Sequence, residues 1–134
     1  PYATVIFSAH SLPMKQIEAG DPYEKEIKAT VAALKARIGD TPGGAVLAYQ
    51  SRVGPIRWLS PSLRSTLKTF GGRDVIIVPI SFVSEHIETL HELDIQYREL
   101  AEKCGIRTYL RVQTPGIDPR YLDCLFRRTT EALP

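Results

Sequence analysis

Asp21-Pro22-Tyr23-Glu24 opens a helical pattern that runs to Gly39, and Ala45-Val46-Leu47-Ala48-Tyr49 follows it. That stretch decides the fold. Aspartate, proline and glutamate in this order form a capping box, with the proline at the first helical position. Ile27, Val31, Leu34 and Ile38 recur at helical spacing, and Gly39 stops the run. The apolar block after it, and Thr4-Val5-Ile6-Phe7 before it, are short and β-branched, so each reads as a buried strand. A strand, a helix and a strand in sequence imply a parallel pair.

The same unit recurs outward from there. Strands are expected at Val75 to Ile80 and at Ile106 to Val112. Ser60-Pro61 opens a helix carrying Leu63, Leu67 and Phe70, closed by Gly71-Gly72. Ser84 caps a third, with Ile87, Leu90, Leu93, Tyr97 and Leu100 inward and Gly105 as its stop. Asp118-Pro119 opens a last one, with Leu122, Leu125 and Phe126 on its apolar side. The expected fold is therefore α/β, an open Rossmann-like parallel sheet of about four strands with helices on both faces.

Length and composition agree with one such domain over residues 1–134. At 134 residues a chain buries roughly two-thirds of its unfolded surface, enough for a core without disulfides or structural metal. Apolar residues make up 43% and the net charge is +2, which excludes disorder. Seventeen cations against fifteen anions, without a long basic run, argue against a nucleic-acid partner. No apolar run approaches the roughly 20 residues of a membrane span. With no export signal at the N-terminus, a cytoplasmic setting is expected. Cys104 and Cys124 have no metal-binding spacing and read as small core residues. The missing initiator Met at Pro1 reads as a boundary within something longer.

Ligands of open parallel sheets bind beyond the carboxyl ends of the strands. Those ends carry Ser8-Ala9-His10-Ser11-Leu12-Pro13, Gln50-Ser51-Arg52-Val53-Gly54-Pro55 and Ser81-Phe82-Val83-Ser84-Glu85-His86. His10 reads either as a loop residue held by hydrogen bonds or as a group that takes a proton or holds an ion. Glu88, Glu92 and Gln96 recur every four residues, with Glu85 three before Glu88, and no cation interrupts the stripe. Such a stripe is either a solvated face or a line of acids meeting His10, able to relay protons or hold metal. His86 lies two residues from Glu88, so on a regular helix the two point apart and His86 is supporting. His91 reads as packing or surface. Val53, Ile56, Trp58 and Leu59 place four apolar side chains in one loop, which either folds onto its own core or forms a lip over an apolar site. Phosphate-binding glycine motifs and a GxSxG elbow are missing from the sequence.

Taken together, Ser8 to Pro13, Gly20-Asp21-Pro22-Tyr23, Gln50 to Pro55, Trp58-Leu59, Val78-Pro79-Ile80 and His86-Ile87-Glu88-Thr89-Leu90, followed by Glu92-Leu93-Asp94-Ile95, resemble ferrochelatase. The resemblance spans nearly the whole chain and is to the C-terminal domain of a two-domain protein. It implies insertion of Fe(II), as substrate, into a porphyrin, protoporphyrin IX by default, in haem biosynthesis. It further implies that His10 and Glu88 are catalytic and that His10, Glu88 and Glu92 handle metal. Ser51, Val53, Pro55, Ile56 and Trp58 then contact substrate, and Glu85, His86 and Gln96 support them. Gln96 stands where many members carry a carboxylate. The resemblance also implies a missing N-terminal domain as partner, a contact with a membrane surface through the apolar lip, and no [2Fe–2S] cluster. Two other readings stay open: a stand-alone homodimeric chelatase for another metal and tetrapyrrole, and a non-catalytic half that only binds porphyrin or metal.

Overall fold

The computed structural model describes residues 2–133. Four strands, β1 (Thr4–His10), β2 (Ala45–Gln50), β3 (Asp74–Pro79) and β4 (Thr108–Arg111), form one parallel sheet in the order β2-β1-β3-β4. β1 is central, and Thr4 through Ala9 are all buried, as expected for a strand covered on both faces. The strand is longer than its apolar run. It carries His10 as its last residue, paired in register with Gln50 at the end of β2.

Alternation along β1 divides the core in two. Val5 and Phe7 pack with Val31 of α2 (Tyr23–Ile38) on one face, and Ala9 sits in the adjoining cluster with Ile27. Ile6 joins Leu63 and Leu67 of α3 (Leu63–Leu67) and Leu93, Tyr97 and Ala101 on the other. Helix starts follow the capping rules with local differences. The Tyr23 N–H donates to Asp21 Oδ1 at 2.9 Å, but Glu24 pairs with Lys28 at 2.6 Å instead of closing the expected box. Ser62, not Ser60, caps α3, accepting from the Ser65 N–H at 3.0 Å, and α3 stops at Leu67, short of Phe70. A short helix, α1 (Met14–Glu18), follows β1 without an expected counterpart.

The third helix departs most from expectation. Glu88–Tyr97 is π-helical and continues as α4 (Arg98–Lys103). Its buried residues Thr89, Leu93, Tyr97 and Ala101 fall every four positions. On an α-helix each four-residue step drifts by about 40°, so such a run would wind off the core. The wider π turn drifts the opposite way, so the π stretch followed by α4 keeps all four near one face. Ile87 and Leu90, which a 3.6-residue period sends inward, are consequently 71% and 51% exposed. Ser84 does not cap this helix; Thr89 Oγ1 accepts the His86 N–H at 3.0 Å.

Arg111 at the end of β4 bolts the π-helical stretch to the sheet edge. Its guanidinium, 7% exposed, grips both carboxylate oxygens of Asp94 and reaches Glu85 Oε1 at 2.9 Å. Glu85 also accepts the Thr114 N–H at 2.9 Å. The last helix, α5 (Pro119–Ala132), is capped by Asp118 as expected, yet none of its residues is buried. Leu122, Leu125 and Phe126 are exposed, and so is Cys124, which therefore is not a core residue. Cys104 is half-buried against the core as expected.

Burial pushes the Glu85 carboxyl up, but hydrogen bonds from Thr89, Thr114 and Arg111 outweigh it and hold the group at about 2. A pKa below the ordinary 4.5 means the charge stabilises the fold fully above that pH and less as pH falls toward 2. Glu85→Gln should therefore flatten the fall in Tm between pH 4.5 and 2; identical slopes for variant and parent would refute this.

Candidate active site

His10 is held by its main chain. Its N–H donates to Ser81 Oγ at 2.8 Å and its carbonyl accepts the Tyr23 hydroxyl at 2.8 Å. Burial pushes the Tyr23 phenol up, with Ser81 partly opposing, so the hydroxyl keeps its proton and its role as donor. Helix α2 and the end of β3 thus fix the backbone of β1's last residue from two sides. The imidazole is left half-buried at the carboxyl edge of the sheet. Phe82 stands edge-on to it at 6.1 Å between ring centres, and edge-on to His86 at 4.6 Å.

His86 and Glu88 meet, contrary to the expectation for two residues on one regular helix. His86 precedes the helix, so its ring swings back over the first turn. Glu88 Oε2 lies 2.9 Å from His86 Nδ1, and the Glu88 N–H points at the same nitrogen from 3.2 Å. One nitrogen cannot serve both partners. A bare Nδ1 accepts the N–H, whereas a protonated Nδ1 donates to the carboxylate. The shorter contact favours the second arrangement.

Glu92 is spoken for within the protein. Its Oε1 accepts the Ser51 N–H at 2.7 Å, and its Oε2 accepts the Ser51 hydroxyl and Gln50 Nε2, the latter at 3.1 Å. Ser51 adopts a left-handed backbone, φ 61°, which costs a non-glycine residue roughly 1–2 kcal/mol. Two hydrogen bonds to one carboxylate offset that cost. Gln50, 0% exposed, also donates to the Glu88 carbonyl at 2.9 Å and accepts the buried Ser8 hydroxyl at 2.6 Å.

These residues surround an open cavity of about 480 Å³. His10, Glu88, Glu92, Gln96, Ser51, Val53 and Trp58 all line it. The loop bearing Val53 and Trp58 is fastened beside His10 by main-chain bonds, Met14 N–H to Arg57 O and Leu59 N–H to Leu12 O, at 2.9 and 3.0 Å. The other expected residues lie elsewhere. Ile56 lines a neighbouring groove with Pro13 and Arg57, and Pro55 is exposed and lines neither cavity. Glu85 belongs to the Arg111 bolt and to a separate cavity of about 880 Å³ beside α5. The acidic line therefore starts at Glu88, because Glu85 precedes the helix and is drawn to a cation from β4. Among the described residues, no three His, Cys, Asp or Glu side chains converge as a ready-made metal cage.

Sequence reasoning missed several members. His91 lines the cavity, and its place three residues after Glu88 was the available signal. Ile87 and Arg52 line it too. Gln50, Ser81 and Tyr23 act through hydrogen bonds that no spacing announces.

The Ferrochelatase family model matches residues 2–133. The curated Ferrochelatase of Nostoc punctiforme is 46% identical over 133 residues, covering 96% of this chain and 34% of that protein. Ferrochelatase of Caulobacter vibrioides is 47% identical over 131 residues, with coverages of 96% and 38%, and that of Synechocystis sp. is 45% identical over 135 residues. The chain spans about a third of the length of these relatives. Among solved structures, a Marinobacter aquaeolei VT8 protein bearing the CbiX name of cobalamin (vitamin B12) biosynthesis superposes with a TM-score of 0.60 at 18% identity. It covers 96% of this chain and 95% of its own, a likeness of fold.

Removing the Glu92 carboxylate leaves the strained Ser51 turn without its acceptor, a loss of about 1–3 kcal/mol of local order. Glu92→Ala should make the loop 52–59 open more often, and trypsin should cut after Arg52 or Arg57 about tenfold faster. Unchanged cleavage would show that the carboxylate does not anchor the loop.

Proposed function

This chain belongs to the ferrochelatase family, and on that premise we propose that it forms the C-terminal, metal-handling part of an enzyme inserting Fe(II) into a porphyrin, protoporphyrin IX by default. The observation that carries the reading is the meeting of two unlike groups on one cavity. A histidine from the end of β1 and a carboxylate from the start of the π-helical stretch line the same opening, with an apolar lip beside them.

Insertion of Fe(II) exchanges one divalent ion for two pyrrole protons. His10 offers an imidazole to accept a proton or ligate the ion, its main chain fixed in place by Ser81 and Tyr23. Glu88 offers a carboxylate whose partner is His86, so charge developing there is shared over two groups. Val53 and Trp58 give the macrocycle apolar surface, which excludes water and strengthens every charge interaction inside. Glu92 and Gln96 extend the polar wall outward, though Glu92 also holds the Ser51 loop.

The lip suits a membrane surface. Val53 and Ile56 are 76% and 54% exposed, and Arg57 stands beside Ile56 with its side chain 75% exposed and its guanidinium paired with Glu18. We place the protein in the cytoplasm, peripheral to a bilayer that supplies an apolar porphyrin. The missing part of the relatives' length supplies the opposite wall of the cleft, so the open cavity of this chain alone binds substrate weakly.

Porphyrin metallation, followed by the change in the visible spectrum, tests the reading on this chain and on the full-length natural protein side by side. Only the latter is expected to turn over well. His10→Ala in the full-length protein should lower turnover at least about 10³-fold, as loss of a central proton-handling group does. Near-normal insertion by that variant would end the assignment.

A further inference from the structure

Gln50 is the one fully buried side-chain amide at the site, and every hydrogen-bonding direction it has toward the cavity wall is used. The Glu88 carbonyl and the Glu92 carboxylate can only accept, which fixes Nε2 as the end facing them and leaves Oε1 to accept the Ser8 hydroxyl at 2.6 Å. Nε2 is thereby turned to the π-helical stretch. It donates to the Glu88 carbonyl at 2.9 Å and to Glu92 Oε2 at 3.1 Å. Among the described residues no other side chain hydrogen-bonds both the backbone of Glu88 and the carboxylate of Glu92.

We propose that Gln50 is a positioning residue for metal insertion, setting the distance between His10 and the acids of the π-helical stretch. Gln50 pairs with His10 across β1 and β2, so its main chain is tied to the histidine's strand. Its side chain is tied to the helix that carries Glu88. One residue therefore spans the two halves of the catalytic pair. A π-helix is marginal compared with an α-helix, and the Glu88 carbonyl lies in its first turn. An amide donor there fixes where the stretch begins, and hence which way Glu88 faces. Ser8 acts one step further back, by holding the amide in its only useful orientation.

This inference rests on the functional reading above, and its test separates the two. Gln50→Met keeps the volume and removes both donors; Ser8→Ala keeps Gln50 and frees its amide. In the full-length protein each should lower kcat, Gln50→Met by about tenfold to a hundredfold, the scale of a misplacement near 1 Å, with KM for porphyrin little changed. Each loss should also be non-additive with Glu92→Gln, because both act through one carboxylate. A second readout needs no activity: amide hydrogen exchange over Glu88–Tyr97 should accelerate in both variants while the sheet stays protected. If Gln50→Met does not fold, Ser8→Ala carries both readouts. Unchanged exchange, a change confined to KM, or losses that simply add would overturn the proposal. Failure of the unaltered full-length protein to metallate porphyrin would instead overturn the functional reading, and the exchange result would stand apart from it.

Discussion

Gln50 sits where the parallel strands end and the π-helical stretch begins, out of reach of water. A buried amide without partners would cost several hydrogen bonds' worth of desolvation. Here it is matched on every side by Ser8, Glu88 and Glu92. This makes the site a consequence of polar satisfaction as much as of apolar packing. The helix is pressed to the sheet by Leu93 and Tyr97, but apolar contact is indifferent to small axial slides. The amide is not, because a hydrogen bond weakens steeply once its donor and acceptor fall out of line.

The same division of labour recurs around the helix. Arg111 clamps its outer side through Asp94, and Glu85 joins that clamp from the preceding loop. Thr89 and His86 close the first turn. Directional bonds thus stand at the start, the side facing β2 and the side facing β4. A wide and intrinsically weak helical geometry is held by restraints from three elements, and each restraint is a named pair.

The sheet order aside, the fold was legible because strands and helix starts announce themselves locally. Asp21-Pro22 and Asp118-Pro119 mark their helices, and the β-branched runs mark the strands. The π-helical stretch was not legible. A period of 3.6 sends Ile87 and Leu90 inward, and only packing against β1 and β3 selects the every-four set instead. Within the site, His10, Glu88 and Glu92 could be found by looking past strand ends. Glu85 could not be placed, since its partner Arg111 lies 26 residues further on. The pairing of His86 with Glu88 depended on where the helix begins, which is the least legible property of any element.

Ser51 carries two demands that pull in opposite directions. Its backbone lies in the left-handed region, while its hydroxyl and N–H both serve Glu92. Glycine would relax the backbone and leave Glu92 Oε2 with the Gln50 amide alone; threonine would keep the hydroxyl and worsen the backbone. Alanine does neither job. Glycine alone relieves the backbone, and it does so by giving up the hydroxyl, so among these four residues serine is the compromise that keeps both bonds to Glu92 at a bearable backbone cost.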